Sequence, residues 1–272
     1  MTFRILGTAA AEGWPALYCT CLACQEAWRR RGKDLRRRTA YQLGERIHID
    51  WGPDTYAQML EFDLRYDRLE HLLITHSHAD HLLPQELLYR HRGFAIMPAH
   101  AMLHIYGNRR VGERLEALDL PLEECFAQFH RARPFEPLEL SDDVVATPIV
   151  ADHAGEEQAL NWLLQRGSRA LLQGNDTGWW PDETWEFLSG VRLTVAIIEC
   201  TYGPNPGGRH HLGANDVLEV RDELAKIGAI DSDTRVVVTH FSHNSGWLHE
   251  RYEEFFTPEG IEAAYDGMEL EL

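Results

Sequence analysis

The sequence predicts an α/β protein in which sheets are covered by helices. Two observations support this fold class. Short, mostly apolar runs typical of buried strands recur along the chain, and several of them end on a histidine or an aspartate. Stretches with helical spacing separate some of these runs and tight turns join others, which argues against a pure repeat of strand–helix–strand units.

The apolar runs, taken in order, define the expected elements. Single buried strands are predicted in TFRILG, HLLIT, VVATPIVADH, VRLTVAIIEC and RVVVTH. YQLGERIHID is predicted as two short strands around a Gly-Glu turn, and NWLLQRGSRALLQGND as a hairpin that turns at Arg-Gly-Ser. Helices are expected over 181–189, over 215–227 with an N-cap near Asn215, and in parts of 82–120.

Length and composition indicate one soluble domain that spans residues 1–272. No linker or repeat divides the chain, 44% of its residues are hydrophobic, and no segment approaches 18 uninterrupted apolar residues. The start, MTFRILG, lacks a secretory pattern, so we expect a cytoplasmic protein without a membrane partner. A net charge of −17 disfavours general binding of nucleic acid.

One segment runs against this acidic balance. Residues 29–38 carry seven basic groups and a single acidic one, Asp34. The simpler interpretation is a solvated surface whose charges face water. The alternative is a rim that attracts phosphate on an otherwise acidic body.

Three of the five cysteines lie within six residues, at Cys19, Cys21 and Cys24. An odd number of thiols at this spacing is poorly suited to disulfides and indicates a metal site, which needs a fourth ligand. Cys125 and Cys200 stand far from this cluster, and we expect them to be buried thiols in a reducing compartment.

The strongest motif is THSHADH, residues 75–81, which directly follows an apolar run. His76 and His78 are two residues apart, so on extended backbone their rings point the same way. Imidazole and carboxylate ligands suit zinc, manganese or iron, and four of them exceed the need of one mononuclear site with an open position. We therefore expect two metals, one held by His76 and His78 and the other by Asp80 and His81.

THSHADH resembles the signature of the metallo-β-lactamase superfamily of hydrolases, and further family elements follow in order. The resemblance implies a four-layer αβ/βα sandwich with metals in a cleft at one sheet edge. IHIDWGPD is similar to the segment with the family's supporting aspartate, and GNDTGW to the segment whose aspartate bridges both metals, although Asn175 replaces the commoner glycine. The residues so implied are Asp50 behind the ligands, and His153, Asp176 and His240 as further ligands.

A narrower resemblance extends over the N-terminal segment GTAAAEGWPALYCTCLACQEAWRR. This segment, and the terminal YDGMELEL, resemble the phosphonate-pathway cyclic-phosphate phosphodiesterase group of that superfamily. The resemblance implies a structural zinc held by Cys19, Cys21, Cys24 and His243. Ala9 and Ala10 depart from the group's small glycines, and residues 82–140, without clear similarity, are expected to shape the substrate pocket.

These resemblances imply a dinuclear phosphodiesterase acting on a small cyclic or nucleotide-like phosphate. The expected cofactors are two divalent ions, zinc or manganese, with a bridging hydroxide as nucleophile. Asp80 and His211 are the expected catalytic residues, His211 as general acid, with its neighbour His210 as the alternative. Glu199, Thr201 and Tyr202 are expected to support this site or line its pocket.

Two other functions stay open at this point. One is a hydrolase of the same fold that acts on thioesters or lactones. The other is a non-hydrolytic, metal-binding accessory protein of cofactor biosynthesis, against which the full set of ligands argues. The expected partner is a small phosphate ester, and the resemblance further implies a homodimer, which no residue pattern tests.

Overall fold

The computed structural model describes residues 1–98 and 101–272. Its strands, numbered along the chain, are β1 (Thr2–Gly7), β2 (Ala40–Leu43), β3 (Ile47–Ile49), β4 (His71–Leu73), β5 (Leu103–Gly107), β6 (Ala127–Arg131), β7 (Leu138–Glu139), β8 (Val145–Val150), β9 (Leu160–Arg166), β10 (Arg169–Gly174), β11 (Val195–Glu199), β12 (Arg235–Thr239), β13 (Ile261–Ala263) and β14 (Glu269–Glu271). The α-helices are α1 (Leu22–Arg30), α2 (Thr55–Glu61), α3 (Arg109–Glu116), α4 (Asp182–Leu188), α5 (Ala214–Lys226) and α6 (His249–Phe256).

The strands form two sheets of seven. The first has the order β14-β1-β2-β3-β4-β5-β6, and the second has the order β13-β12-β11-β10-β9-β8-β7. Pairing is parallel from β3 to β6 in the first sheet and from β10 to β13 in the second. In each sheet the carboxyl ends of the parallel strands share one edge. The loop that follows β4 lies at this edge of the first sheet, and the loops that follow β10, β11 and β12 lie at this edge of the second.

Apolar side chains fill three layers between and outside the sheets. The layer between the sheets joins residues of the first sheet, such as Phe3 and Ile49, to residues of the second, such as Trp162 and Val237. Helices cover both outer faces, as sequence analysis predicts for a four-layer sandwich. On the outside of the second sheet pack α4, α5 and α6, and on the outside of the first sheet packs α3.

Every strand predicted from an apolar run is present in the structure. The predicted hairpin is β9 and β10, which pair antiparallel from Arg166 opposite Arg169. The predicted helices at 181–189 and 215–227 are α4 and α5, and the N-cap of α5 is Gly213, two residues before Asn215. The Asp216 carboxylate accepts the Gly213 N–H at 2.7 Å, which satisfies a donor that the first turn leaves free.

Residues 82–120 are less helical than their spacing predicts. They contain a 3₁₀ segment, Pro84–Arg90, followed by β5 and α3, while residues 99 and 100 lie outside the described part of the chain.

Among the described residues, no helix combines the length and apolar character needed to cross a membrane.

Candidate metal centre

Side chains from both sheets converge at the shared edge. The loop after β4 contributes from the first sheet, and the loops after β8, β10 and β12 contribute from the second. The structure brings together all seven predicted active-site ligands, in overlapping clusters whose ligand atoms lie within 4.8 Å of one another: His76, His78, Asp80, His81, His153, Asp176 and His240.

The first cluster consists of three imidazoles. His78 Nδ1 lies 3.0 Å from His76 Nε2 and 3.3 Å from His153 Nε2, so three ring nitrogens face one small volume. Burial and the neighbouring His81 hold the pKa of His76 well below its ordinary value, so this ring is neutral with a free lone pair. Three imidazole nitrogens in this arrangement can hold a divalent cation.

The second cluster joins histidines to carboxylates. His81 Nε2 lies 3.1 Å from Asp80 Oδ2 and 2.8 Å from Asp176 Oδ2, and His240 Nε2 lies 3.2 Å from the same Asp176 oxygen. The other Asp176 oxygen lies 4.0 Å from His153 Nε2 in the first cluster. Asp176 therefore stands between the clusters with one oxygen toward each.

The polar atoms at the centre of the site fit a bound cation. His81 Nε2, His240 Nε2 and Asp176 Oδ2 are buried and close together, yet none of them has a partner among the described residues with the geometry of a hydrogen bond. A buried polar atom without a hydrogen bond reduces the free energy of unfolding. Three such atoms that face one another are expected where a bound cation would serve as their common partner. Burial opposes ionisation of Asp176, but His240 and His81 outweigh it and hold the carboxyl pKa well below its ordinary value.

Further residues fix the outward nitrogen of these rings. The Asp50 carboxylate accepts from His81 Nδ1 at 2.7 Å and from the Thr75 N–H at 2.9 Å. Thr201 Oγ1 accepts from His240 Nδ1 at 2.9 Å, and the carbonyl of His210 accepts from His153 Nδ1 at 3.2 Å. Such partners set ring orientation and tautomer and make the inner nitrogens better ligands.

The loop that carries THSHADH is held by a carboxylate that sequence analysis missed. Glu157 accepts from the Ser77 hydroxyl at 2.7 Å and from the Ser77 N–H at 3.1 Å. The Asn108 amide donates to the same carboxylate at 2.7 Å, which ties the start of α3 to this loop. No local pattern announces Glu157, because its partners are far from it in sequence.

His211 lies beside the two clusters and is held by Glu199. Its Nδ1 donates to Glu199 Oε1 at 2.6 Å, and its ring centroid lies 4.8 Å from that of His153. Burial would lower the pKa of His211, but the charge of Glu199 and this hydrogen bond outweigh burial and raise it to about 9. His210 is the alternative general acid that the sequence offers. Its carbonyl accepts from His153 Nδ1, and its ring lies farther from His153 than that of His211, with 6.0 Å between the ring centroids.

The three clustered cysteines and His243 also meet. Cys19 Sγ and Cys21 Sγ each lie 3.6 Å from His243 Nδ1, and Cys24 completes a group within 4.8 Å. Burial disfavours the Cys21 thiolate, but hydrogen bonds from the Cys24 N–H and from His243 lower the pKa of Cys21 to about 6. Three sulfurs and one imidazole nitrogen form a donor set that suits tetrahedral zinc.

The basic segment 29–38 is largely neutralised by ion pairs. Most of its cations contact carboxylates: Arg29 and Arg30 with Glu26, Lys33 with Glu253, Arg37 with Glu61 and Arg38 with Asp54. Arg36 is buried and bonded to Thr8 and to the carbonyl of Ala264. These contacts favour the simpler interpretation of a charged surface over a phosphate-attracting rim.

Comparison with solved structures agrees with this architecture. A new diphosphatase from the PhnP family superposes with a TM-score of 0.77 at 23% identity, covering 100% of this chain and 97% of that chain. Zn²⁺-bound PqqB from Methylobacterium extorquens gives 0.76 at 16% identity, with 100% of each chain covered. The short form of human tRNase Z gives 0.66 at 17% identity, covering 100% of this chain and 99% of that one.

At these identities the likeness shows the fold. None of the proteins of curated function matches this sequence. Residues 45–247 match the family model described as a beta-lactamase superfamily domain, and this range contains all seven converging ligands together with Glu199, His211 and His243. The chain therefore belongs to the beta-lactamase superfamily and has the metallo-hydrolase fold of that family.

Proposed function

We propose that this protein is a metal-dependent phosphodiesterase that hydrolyses a small cyclic or nucleotide-like phosphate ester. One observation carries the proposal: two clusters of metal-ligating atoms share the buried carboxylate of Asp176, and His211, held by Glu199, lies next to them. The metal-dependent hydrolase fold supports the reaction type, and the His211–Glu199 pair supports the phosphodiester specificity.

The proposed cofactors are two divalent cations, zinc or manganese. His76, His78 and His153 would hold one, Asp80, His81 and His240 would hold the other, and Asp176 would serve both. Nitrogen and carboxylate ligands of this kind suit either ion. When bound, such a pair polarises a phosphoryl oxygen and lowers the pKa of a water held between the ions.

His211 would donate the proton that the departing oxygen needs. Its Nδ1 is occupied by Glu199, so the proton on Nε2 is the one available for transfer. Because its pKa is raised to about 9, His211 is protonated at neutral pH, as a general acid must be. Glu199 is fully buried and accepts from Thr177, Thr201 and Leu212 as well, so its position under His211 is fixed.

This pair favours an oxygen leaving group over a sulfur one. An alkoxide is a strong base and leaves slowly unless it is protonated. A thiolate is a much weaker base, because the pKa of a thiol is about 8.5, and it leaves without a proton. A thioesterase would gain little from a protonated histidine held this firmly. The geometry thus supports a phosphodiesterase over the thioester hydrolase that the sequence left open.

A substrate panel tests the proposal. Protein reconstituted with zinc or manganese is assayed on bis(p-nitrophenyl) phosphate, on 2′,3′-cyclic AMP, on an S-acyl glutathione and on a simple lactone. We expect hydrolysis of both phosphodiesters, and loss of that activity in Asp176→Asn. Hydrolysis of the thioester or the lactone without any phosphodiesterase activity would refute the proposal.

We further propose that Cys19, Cys21, Cys24 and His243 hold a structural zinc. Backbone N–H groups of Ala16, Cys21 and Cys24 point at sulfurs of the set from 3.4 to 3.5 Å, a geometry that would stabilise thiolates bound to a cation. Four protein ligands leave no open position, which is typical of a structural site and not of a catalytic one. This zinc site, called the clip below, would join the loop after β1, which carries the cysteines, to the loop after β12, which carries His243.

A further inference from the structure

The proposed metal ligands are divided between the two sheets. His76, His78, Asp80 and His81 follow β4 of the first sheet, whereas His153, Asp176 and His240 follow strands of the second. The geometry of a shared site therefore depends on how firmly the two sheets are held at this edge. The close-packed apolar layer between the sheets resists compression. A hydrogen bond between the sheets at this edge adds a directional contact to that packing.

Asn175 supplies such a contact one residue before the shared carboxylate. Its side-chain Oδ1 accepts from the Tyr41 hydroxyl at 2.5 Å, and its Nδ2 donates to Thr39 Oγ1 at 3.3 Å. Tyr41 lies in β2, and Thr39 immediately precedes that strand. The side chain of a residue that follows β10 thus reaches across to the first sheet.

The backbone of Asn175 is fixed from its own sheet. Its backbone carbonyl accepts from the side-chain Nδ2 of Asn161 in β9, and Asn161 Oδ1 accepts from Trp180 Nε1 at 2.8 Å. Tyr41, Asn161 and Asn175 are fully buried, so water does not compete for these hydrogen bonds. Burial, together with the negative charges of Asp50 and Asp176, raises the pKa of Tyr41, which keeps its hydroxyl a donor.

Asp176, which follows Asn175 in the chain, has an unusual backbone conformation. Asp176 has a φ of +48°, in the left-handed region that side chains other than glycine seldom adopt. A residue in this region is strained and persists only where its surroundings hold it. Asn175 provides that hold on one side, and on the other the Gly178 N–H donates to the Asp152 carbonyl at 3.0 Å.

We propose that Tyr41 and Asn175 are positioning residues that set the shared carboxylate of Asp176 against the histidines of the first sheet. The inference rests on the proposed pair of cation sites and adds the residues that fix their spacing. Neither residue touches the substrate. Their effect is expected in cation affinity and in kcat, while KM for the phosphodiester stays close to that of the parent.

The test is a metal titration of chelated protein by calorimetry, carried out on the parent and on Tyr41→Phe. Loss of the hydroxyl leaves Asn175 Oδ1 without its donor and frees the segment before Asp176. We expect the weaker of the two active-site cations to bind at least about 10-fold less tightly, with a parallel fall in kcat. Asn175→Ala removes the same link from the other side and should give the same loss, which covers the case of a poorly folded Tyr41→Phe.

Tyr252→Phe is the matched control. Tyr252 is equally buried and donates to Ser245 Oγ at 2.9 Å, but it does not contact Asn175 or Asp176. It should lower the Tm of the chelated protein about as much as Tyr41→Phe without weakening either active-site cation. Unchanged cation affinity in both Tyr41→Phe and Asn175→Ala, or an equal loss in Tyr252→Phe, would overturn the inference. A parent that binds no cation pair would instead overturn the proposed function.

Discussion

His211 is the residue whose removal separates proton donation from metal binding. It lies beside both clusters, yet its Nδ1 is taken by Glu199, so His211→Ala should leave the metal content intact. On a substrate with an alkoxide leaving group we expect turnover to fall by about 10²- to 10⁴-fold, the usual value of a general acid. With a nitrophenolate leaving group the loss should be much smaller, because that oxygen needs no proton.

The matched control is His210→Ala, whose side chain lies farther from the clusters and whose carbonyl is retained. It should keep most of the activity on both kinds of substrate. Metal loss in His211→Ala would make this residue a ligand, and an equal penalty on both substrate types would make it a binding residue.

The pH dependence of turnover follows from the same residue. Glu199 raises the pKa of His211 to about 9, so the acid is protonated below that pH and loses its proton as the pH rises through it. We expect kcat for an alkoxide-leaving substrate to decline with a midpoint no higher than about 9. The nitrophenyl substrate should lack this alkaline limb, and so should His211→Ala. An alkaline limb that persists in His211→Ala would assign it to another group.

Residues joined by local spacing were predictable from the sequence itself, whereas distant partners such as His153, Asp176, His240 and His243 were predictable only through the family resemblance. His76, His78, Asp80 and His81 share one short motif, so their chemistry is visible in the sequence. Glu157 meets Ser77 across 80 positions, and Tyr41 meets Asn175 across 134. No periodicity or composition signal marks such a pair, because each partner alone resembles an ordinary core or loop residue.

At the scale of elements, the loop that holds the three cysteines is the clearest target. Its cluster meets His243, so the clip joins residues 222 to 224 positions apart. Cys21→Ser should remove one zinc ion per chain and lower the Tm. The Tm falls because loss of the site frees a long loop in the unfolded chain and no longer holds the N-terminal loop in the folded one. The folded fraction should retain its active-site cations.

Cys125→Ala provides the comparison, because Cys125 is a buried thiol outside any cluster of ligands among the described residues. It should keep the full zinc content even if its Tm falls. Unchanged melting and unchanged zinc in Cys21→Ser would show that the three thiols do not form a structural zinc site.

The strands that lead into the site were the easiest elements to predict. β4, β8, β10 and β12 are apolar because both faces are covered, and each is followed closely by a ligand. Peripheral elements were missed. β14 at the edge of the first sheet is three residues long with two exposed glutamates, and in β6 only Ala127 is buried. Such strands owe their pairing to their neighbours and lack an apolar run of their own.

For the whole molecule, the central claim is that this fold holds a shared pair of cations and a separate closed zinc site. The four-layer sandwich places all seven proposed metal ligands at one edge, and the cysteine cluster lies next to the segment that follows β12.

Metal analysis of the purified protein tests this claim most directly. We predict close to three metal ions per chain, of which mild chelation removes two together with all phosphodiesterase activity, and re-addition of zinc or manganese restores both. Asp176→Ala should carry only the chelation-resistant ion, because one carboxylate serves both removable ions. A single metal ion per chain in a fully active protein, or two active-site ions retained by Asp176→Ala, would contradict the account.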